Sequence, residues 1–208
     1  MKVVLFGASG MIGSRILAEL ISRGHKVTAV VRNPERVTAI EVQVIRGDLT
    51  DAASVASAVA GADAVLSAYA PPQGKEQTLL LASRSLVEGA EMAGVRRLLV
   101  VSGAGSLEVA EGVQLLDTPQ FPAAWLPIAR AHRDALPILE ASGLEWTALS
   151  PAAMIEPGER TGKFRLGGIQ FLVDGQGESR ISAEDFAVAM VDELENSQHV
   201  RSRFTVAY

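Results

Sequence analysis

The stretch Val3-Val4-Leu5-Phe6-Gly7-Ala8-Ser9-Gly10-Met11-Ile12-Gly13 decides how the rest of the chain is read. Four consecutive apolar residues that run into a glycine turn fit a strand buried on both faces. Beyond the turn, Ile12, Ile16, Leu17, Leu20 and Ile21 recur at the spacing of one helix face, and Gly24 stands where a left-handed cap would end that helix. A strand, a glycine turn and a helix in this order present main-chain N–H groups at a helix N-terminus. A pyrophosphate is held there, and only glycine lets the backbone come close enough to it. Gly7, Gly10 and Gly13 follow G-x-x-G-x-x-G rather than G-x-G-x-x-G, so the flanking strand and helix give the motif its meaning. The expectation is a dinucleotide site on a Rossmann-type α/β domain, with Gly7, Ser9, Gly10, Met11, Ile12 and Gly13 at the phosphates.

Outward from this turn, strand-like runs alternate with helical periodicity, the pattern of a doubly wound parallel sheet covered on both faces. Residues 26–31 read as the second strand, Asn33-Pro34 as the start of a short helix, and 42–45 as the third strand. Thr50 opens the next helix and Gly61 closes it. The fourth strand is 64–67, a helix covers 78–93, and the fifth strand is 98–101. From Ser102 to about Trp125 the periodicity fades in a stretch longer than the usual connection of about 4 to 6 residues, as an active-site cover often is. A helix over 125–141 and a strand over 146–150 complete six β/α units. Residues 1–208 are expected to form one domain, with 151–208 a small substrate-side extension. In that extension 157–162 is a polar turn, and 169–173 and 204–206 are strand candidates. Ser182 with Asp185 resembles a capping box before Phe186, Met190 and Leu194.

The 208 residues are 48% hydrophobic and 21% charged, enough to bury a full core without staples. A net charge of -5 with no basic run argues against nucleic-acid and anionic-membrane partners, which leaves small molecules. With no cysteine, thiolate nucleophiles and thiolate metal sites are excluded, and redox chemistry must ride on a cofactor. His25, His132 and His199 are scattered without ligand spacing, so no metal is expected. No stretch approaches the roughly 18 apolar residues of a membrane helix, and the opening apolar run is too short for a signal peptide. A cytoplasmic monomer or homodimer is expected.

NAD-selective sites place an acidic residue near the end of the second strand, about 20 residues beyond the glycines. Here Arg32 stands at that position. A guanidinium can pair with a 2′-phosphate, so NADP(H) is expected to bind in preference to NAD(H), with Arg36 a weaker helper.

With these residues in view, the chain resembles the atypical short-chain dehydrogenase/reductase group, and within it the NADH-flavin reductase family. The likeness extends more distantly to biliverdin reductase B and NmrA-like proteins. It rests on the glycine turn, Gly47-Asp48-Leu49, Leu144-Glu145-Trp146-Thr147 with Ser150-Pro151-Ala152, Gly158-Glu159-Arg160-Thr161-Gly162, and Ile181-Ser182-Ala183-Glu184-Asp185. The resemblance implies that Asp48 and Leu49 lie at the adenine and that Ser67, Ala68 and Tyr69 pass beneath the nicotinamide ribose. It also implies that Ser102 faces the nicotinamide and that Pro151, Ala152 and Ala153 bring backbone to the carboxamide. All of these sit at carboxyl ends of expected strands, where open α/β sheets place ligands.

The chain departs from that group at one place. Its dehydrogenases carry a Tyr-x-x-x-Lys pair on the helix before the Trp146 strand, and counting back from Ala141-Ser142-Gly143 puts Ile128 at the tyrosine and His132 at the lysine. Reducing a ketone makes an alkoxide that needs a positioned acid. Hydride transfer to a flavin or quinone makes a delocalised anion, for which positioning suffices. The expected function is therefore an NAD(P)H-dependent reductase of a flavin or quinone-like acceptor, with Ser102 and His132 as catalytic candidates. Flavin would be a substrate rather than a bound prosthetic group, and Phe121 and Trp125 are candidates to stack on it. The alternatives are a non-catalytic NADP(H)-binding redox sensor of NmrA-like type, or a relative of sugar-nucleotide epimerases and dehydratases.

Overall fold

A computed structural model describes residues 1–37 and 42–208, the Arg36 side chain excepted. In chain order the elements are β1 (Lys2–Phe6), α1 (Met11–Ser22), β2 (Lys26–Val31), β3 (Gln43–Arg46), α2 (Ala52–Val59), β4 (Ala64–Ser67), α3 (Thr78–Met92) and β5 (Arg97–Val101). They continue with β6 (Glu108–Ala110), β7 (Val113–Gln114), α4 (Leu126–Glu140), β8 (Glu145–Ser150), β9 (Met154–Glu156), β10 (Arg165–Gly167), β11 (Arg180–Ser182), α5 (Ala183–Asn196) and β12 (Ser202–Ala207). The main sheet runs β10-β12-β8-β5-β4-β1-β2-β3. Its strands are parallel except for β10, which pairs antiparallel with β12 at the edge. Strand order reverses between β1 and β4, and this switch point opens the crevice where such sheets bind ligands.

The apolar run of β1 alternates between two cores. Val3 and Leu5 face α1 and α5, packing with Ile16, Leu20, Phe186 and Met190. Val4 and Phe6 face the other layer with Val55, Val59, Leu86 and Leu139. Residues beyond Pro151 contribute β10 and β12 to the main sheet and α5 to the first core.

One buried ion pair ties this C-terminal part to the sheet. Arg97 donates to Glu193 at 2.7 Å, and Glu193 also accepts from the N–H of His199 at 3.0 Å. Satisfied on several sides, the pair avoids the cost of an isolated buried charge.

Several local expectations are corrected. Asp51, not Thr50, caps α2, its carboxylate accepting from the Ala53 N–H at 3.0 Å. The run 169–173 is not a strand: it is clipped to β6 by Glu108 N–H donating to Ile169 O and Phe171 N–H donating to Glu108 O, each at 2.8 Å. The antiparallel strand is β10 instead. The long stretch after Ser102 holds the β6–β7 hairpin. Ser182 caps α5 as expected, accepting from the Asp185 N–H at 3.0 Å, but no capping box closes. The Ser182 N–H donates to the Tyr208 hydroxyl, and the Asp185 carboxylate instead accepts from Thr161 N–H, Gly162 N–H and the Tyr208 hydroxyl. Aspartate is one methylene too short to reach back to the cap, so it anchors the 157–162 turn.

Candidate functional site

The glycine turn is a cradle that any side chain would fill. Gly7 adopts φ +81°, the left-handed region, and a Cβ there would come within 2.5 Å of Ala68 O. A Cβ on Gly13 would fall 2.0 Å from Gly7 O. Gly10 differs, since its Cβ would meet only Gly7 O at 3.4 Å, close to ordinary contact. Its N–H donates to Gly7 O at 3.0 Å, closing the turn. Gly10 caps α1 with no side-chain hydrogen bond, so the N–H groups of Met11, Ile12 and Gly13 open the helix with no carbonyl a turn earlier to accept them. Ser9 and Met11 are exposed beside them. Three free donors at the positive end of a helix, in a cradle too tight for side chains, fit a dinucleotide pyrophosphate.

On the β2–β3 side of the switch point, Arg32 follows β2 and is exposed. Asp48, just beyond β3, accepts from the Thr50 N–H at 2.9 Å and the Thr50 hydroxyl at 2.7 Å. These two bonds, helped by the Arg32 charge, hold the Asp48 carboxyl below the usual carboxylate range. Leu49 is buried against the second core.

On the other side, Ser67 ends β4 and is buried, and Ala68 follows it with its N–H donating to Phe6 O at 2.9 Å. The Tyr69 hydroxyl is engaged with Thr78 Oγ1 at 3.1 Å. Ser102 is buried after β5, its N–H donating to Leu149 O at 2.8 Å. A small cavity of about 30 Å³ brings Leu49, Ser67, Tyr69, Ser102 and His132 to one wall-to-wall cluster.

His132 is also the partition to a second, larger space. A cleft of about 270 Å³ opens on its far side, floored by 103–105 and 151–153 and walled by Ile128, Phe121, Trp125 and Phe171. Ile128 and His132, at the tyrosine and lysine positions, both line it. Gly103 packs closely against His132, since a Cβ there would meet His132 Cβ at 2.9 Å and the ring carbon Cδ2 at 3.2 Å. Burial, and secondarily the charge of Arg203, push the His132 pKa down to about 4, so the ring is neutral at pH 7. Pro151, Ala152 and Ala153 join this cleft, whereas Arg32 and Asp48 stand apart from it, across the switch point.

Sequence reasoning missed Arg203 and Phe171. Phe171 enters the cleft only because the 169–171 backbone is clipped to β6. Arg203 lies on β12 next to Phe204, a fully buried position, and a charge within a doubly covered strand was the available signal. Its Nε donates to Ser150 Oγ at 2.9 Å, and its Nη1 donates to Ser106 O at 3.1 Å and Ser106 Oγ at 3.0 Å.

Comparison with known proteins fits this geometry. A family model described as NAD(P)H-binding matches residues 7–197. YwnB of Bacillus subtilis is 41% identical over 210 residues, covering 99% of this chain and 98% of YwnB. A crystal structure of a protein described as a candidate exported protein, from Burkholderia pseudomallei, is 53% identical with a TM-score of 0.93 and full coverage of both chains. A candidate NADH-flavin reductase from Streptococcus pneumoniae is 37% identical with a TM-score of 0.88, covering 100% of this chain and 99% of that one. No helix among the described residues is long and apolar enough to cross a membrane. The chain belongs to the NAD(P)H-binding family, a reductase-like group of the atypical short-chain dehydrogenase/reductase kind with a Rossmann fold.

Proposed function

We propose that this chain is an NAD(P)H-dependent reductase that prefers NADP(H) and reduces a planar flavin or quinone-like acceptor in the cleft beside His132. The observation that carries this reading is the pair Ile128 and His132: the places of the usual acid and its lysine face the cleft as an alkyl group and a neutral imidazole. Both tyrosines of the chain are engaged elsewhere, Tyr69 with Thr78 and Tyr208 with Asp185. NADPH, when bound, would supply a hydride, so that an acceptor would gain two electrons and a negative charge, which a proton from water would then remove. An acceptor that spreads that charge over its rings does not need a protein acid.

The residues would divide the work. Gly7, Gly10 and Gly13 with the α1 N–H groups hold the pyrophosphate, and Arg32 pairs with the 2′-phosphate. Ser67, Ala68 and Tyr69 lie under the nicotinamide ribose, with Ser102 and His132 at the ring and 151–153 at its carboxamide. Phe121, Trp125 and Phe171 exclude water and stack on the acceptor, orienting it. Flavin is used as a freely exchanging substrate, since the chain offers one dinucleotide turn. The test is NADPH consumption with flavins and quinones. Tight nucleotide binding without any such turnover would favour the redox-sensor reading instead, which shares the loss of the tyrosine.

A further inference from the structure

Arg203 is a cation placed where the fold had no need of one. It is partly buried on β12, and among the described residues no carboxylate comes within 4.0 Å of it. Its Nη2 is buried with no hydrogen-bond partner. An isolated interior charge is costly, and replacing such groups by apolar ones is often stabilising, so a folding role alone accounts poorly for it.

Its position accounts for it better. The guanidinium bridges Ser150 and Ser106. These two residues adjoin the two segments, 151–153 and 103–105, that form the cleft floor. The charge therefore lies just behind that floor, and its field helps hold His132 on the wall neutral. No Asp, Glu, Lys or Arg lines the cleft, and Arg203 itself acts from behind its floor. Glu108 on β6, which acts on Arg203 beyond contact distance, can offset the field; His132 on α4 is neutral and cannot. In an apolar interior such a field is weakly screened.

We propose that Arg203 is a positioning residue that makes this cleft select anions: fixed behind the floor by Ser150 and Ser106, it favours a planar ligand in its anionic form over the same ligand uncharged. This rests on the reductase reading only for its purpose, which would be to stabilise the charge the acceptor holds after reduction. The preference itself is a binding property.

The test is calorimetric titration of the NADP⁺-saturated protein, which cannot turn over, with two probes. One is a hydroxynaphthoquinone that is an anion at neutral pH, and the other is its uncharged parent naphthoquinone. The unmutated protein should bind the anion at least about tenfold more tightly. Arg203→Met should abolish that preference while changing affinity for the parent by less than about threefold, and Arg203→Lys should keep most of it. A lysine retains the charge but not the fork that spans both serines. Loss of affinity for both probes alike in both variants would mean that Arg203 is only a brace, and would overturn the proposal. So would equal affinities for the two probes in the unmutated protein, a result that needs no variant to fold. Failure of the reductase reading shows separately, as absent NADPH oxidation with an intact anion preference.

Discussion

Ile128 and His132 stand one helical turn apart on α4 and face the same cleft. These are the two positions to which the sequence count assigns a Tyr-x-x-x-Lys pair, and here they carry an alkyl group and an imidazole. What remains at the second position is an imidazole that burial keeps neutral.

His132→Gln should slow turnover or weaken NADPH binding severalfold without unfolding the protein, because the imidazole separates the small cavity from the cleft. The same variant has a pH signature. With a folded pKa of about 4 against an ordinary 6.5, the unfolded chain binds more protons between those values. This contribution to stability is therefore complete above pH 6.5 and is lost as pH falls toward 4. Urea midpoints measured across that window should slope less steeply in the variant, and an unchanged slope would contradict the assigned environment.

The three glycines of the turn should separate by what their Cβ would meet. Gly10→Ala should fold with little loss of stability, since its nearest contact is 3.4 Å, yet bind nucleotide at least about tenfold more weakly because the methyl group stands where a phosphate approaches. Gly13→Ala should destabilise the turn itself, its Cβ being 2.0 Å from Gly7 O. Thermal melts with and without NADPH would distinguish the two. A Gly10→Ala protein with full affinity would remove the pyrophosphate from this helix end.

Arg32→Ala should cost about 1.5 to 3 kcal/mol of NADPH affinity and little for NADH, the scale of hydrogen bonds to a charged group. Calorimetric titration of both nucleotides checks it. Equal affinities for NADPH and NADH in the unmutated protein would refute the preference.

Much of the fold was legible because the central strands β1, β4 and β5 are short and mostly apolar, and the first three helices end at glycines with positive φ, Gly24, Gly61 and Gly94. The pairing of Ile128 with His132 could also be counted from sequence, because helical spacing is rigid. Less legible were features made by the chain folding back on itself. The 169–173 run has the apolar content of a strand, but only its clip to Glu108 satisfies it, and β10 forms where Leu166 meets Val206. Asp185 has the position of a capping residue and the bonds of a loop anchor. Arg203 is set behind the cleft by contacts 53 and 97 residues away in the chain, which no local pattern announces.

The central claim is that the cleft reduces acceptors that delocalise charge and spares those that need an acid. Its most direct measurement is the rate of NADPH oxidation by the purified protein with a panel of free flavins and quinones, set beside simple ketones under the same conditions. The account predicts turnover with members of the first group and none above background with the ketones. Background rates throughout, with nucleotide binding still tight, would contradict it, and so would efficient ketone reduction.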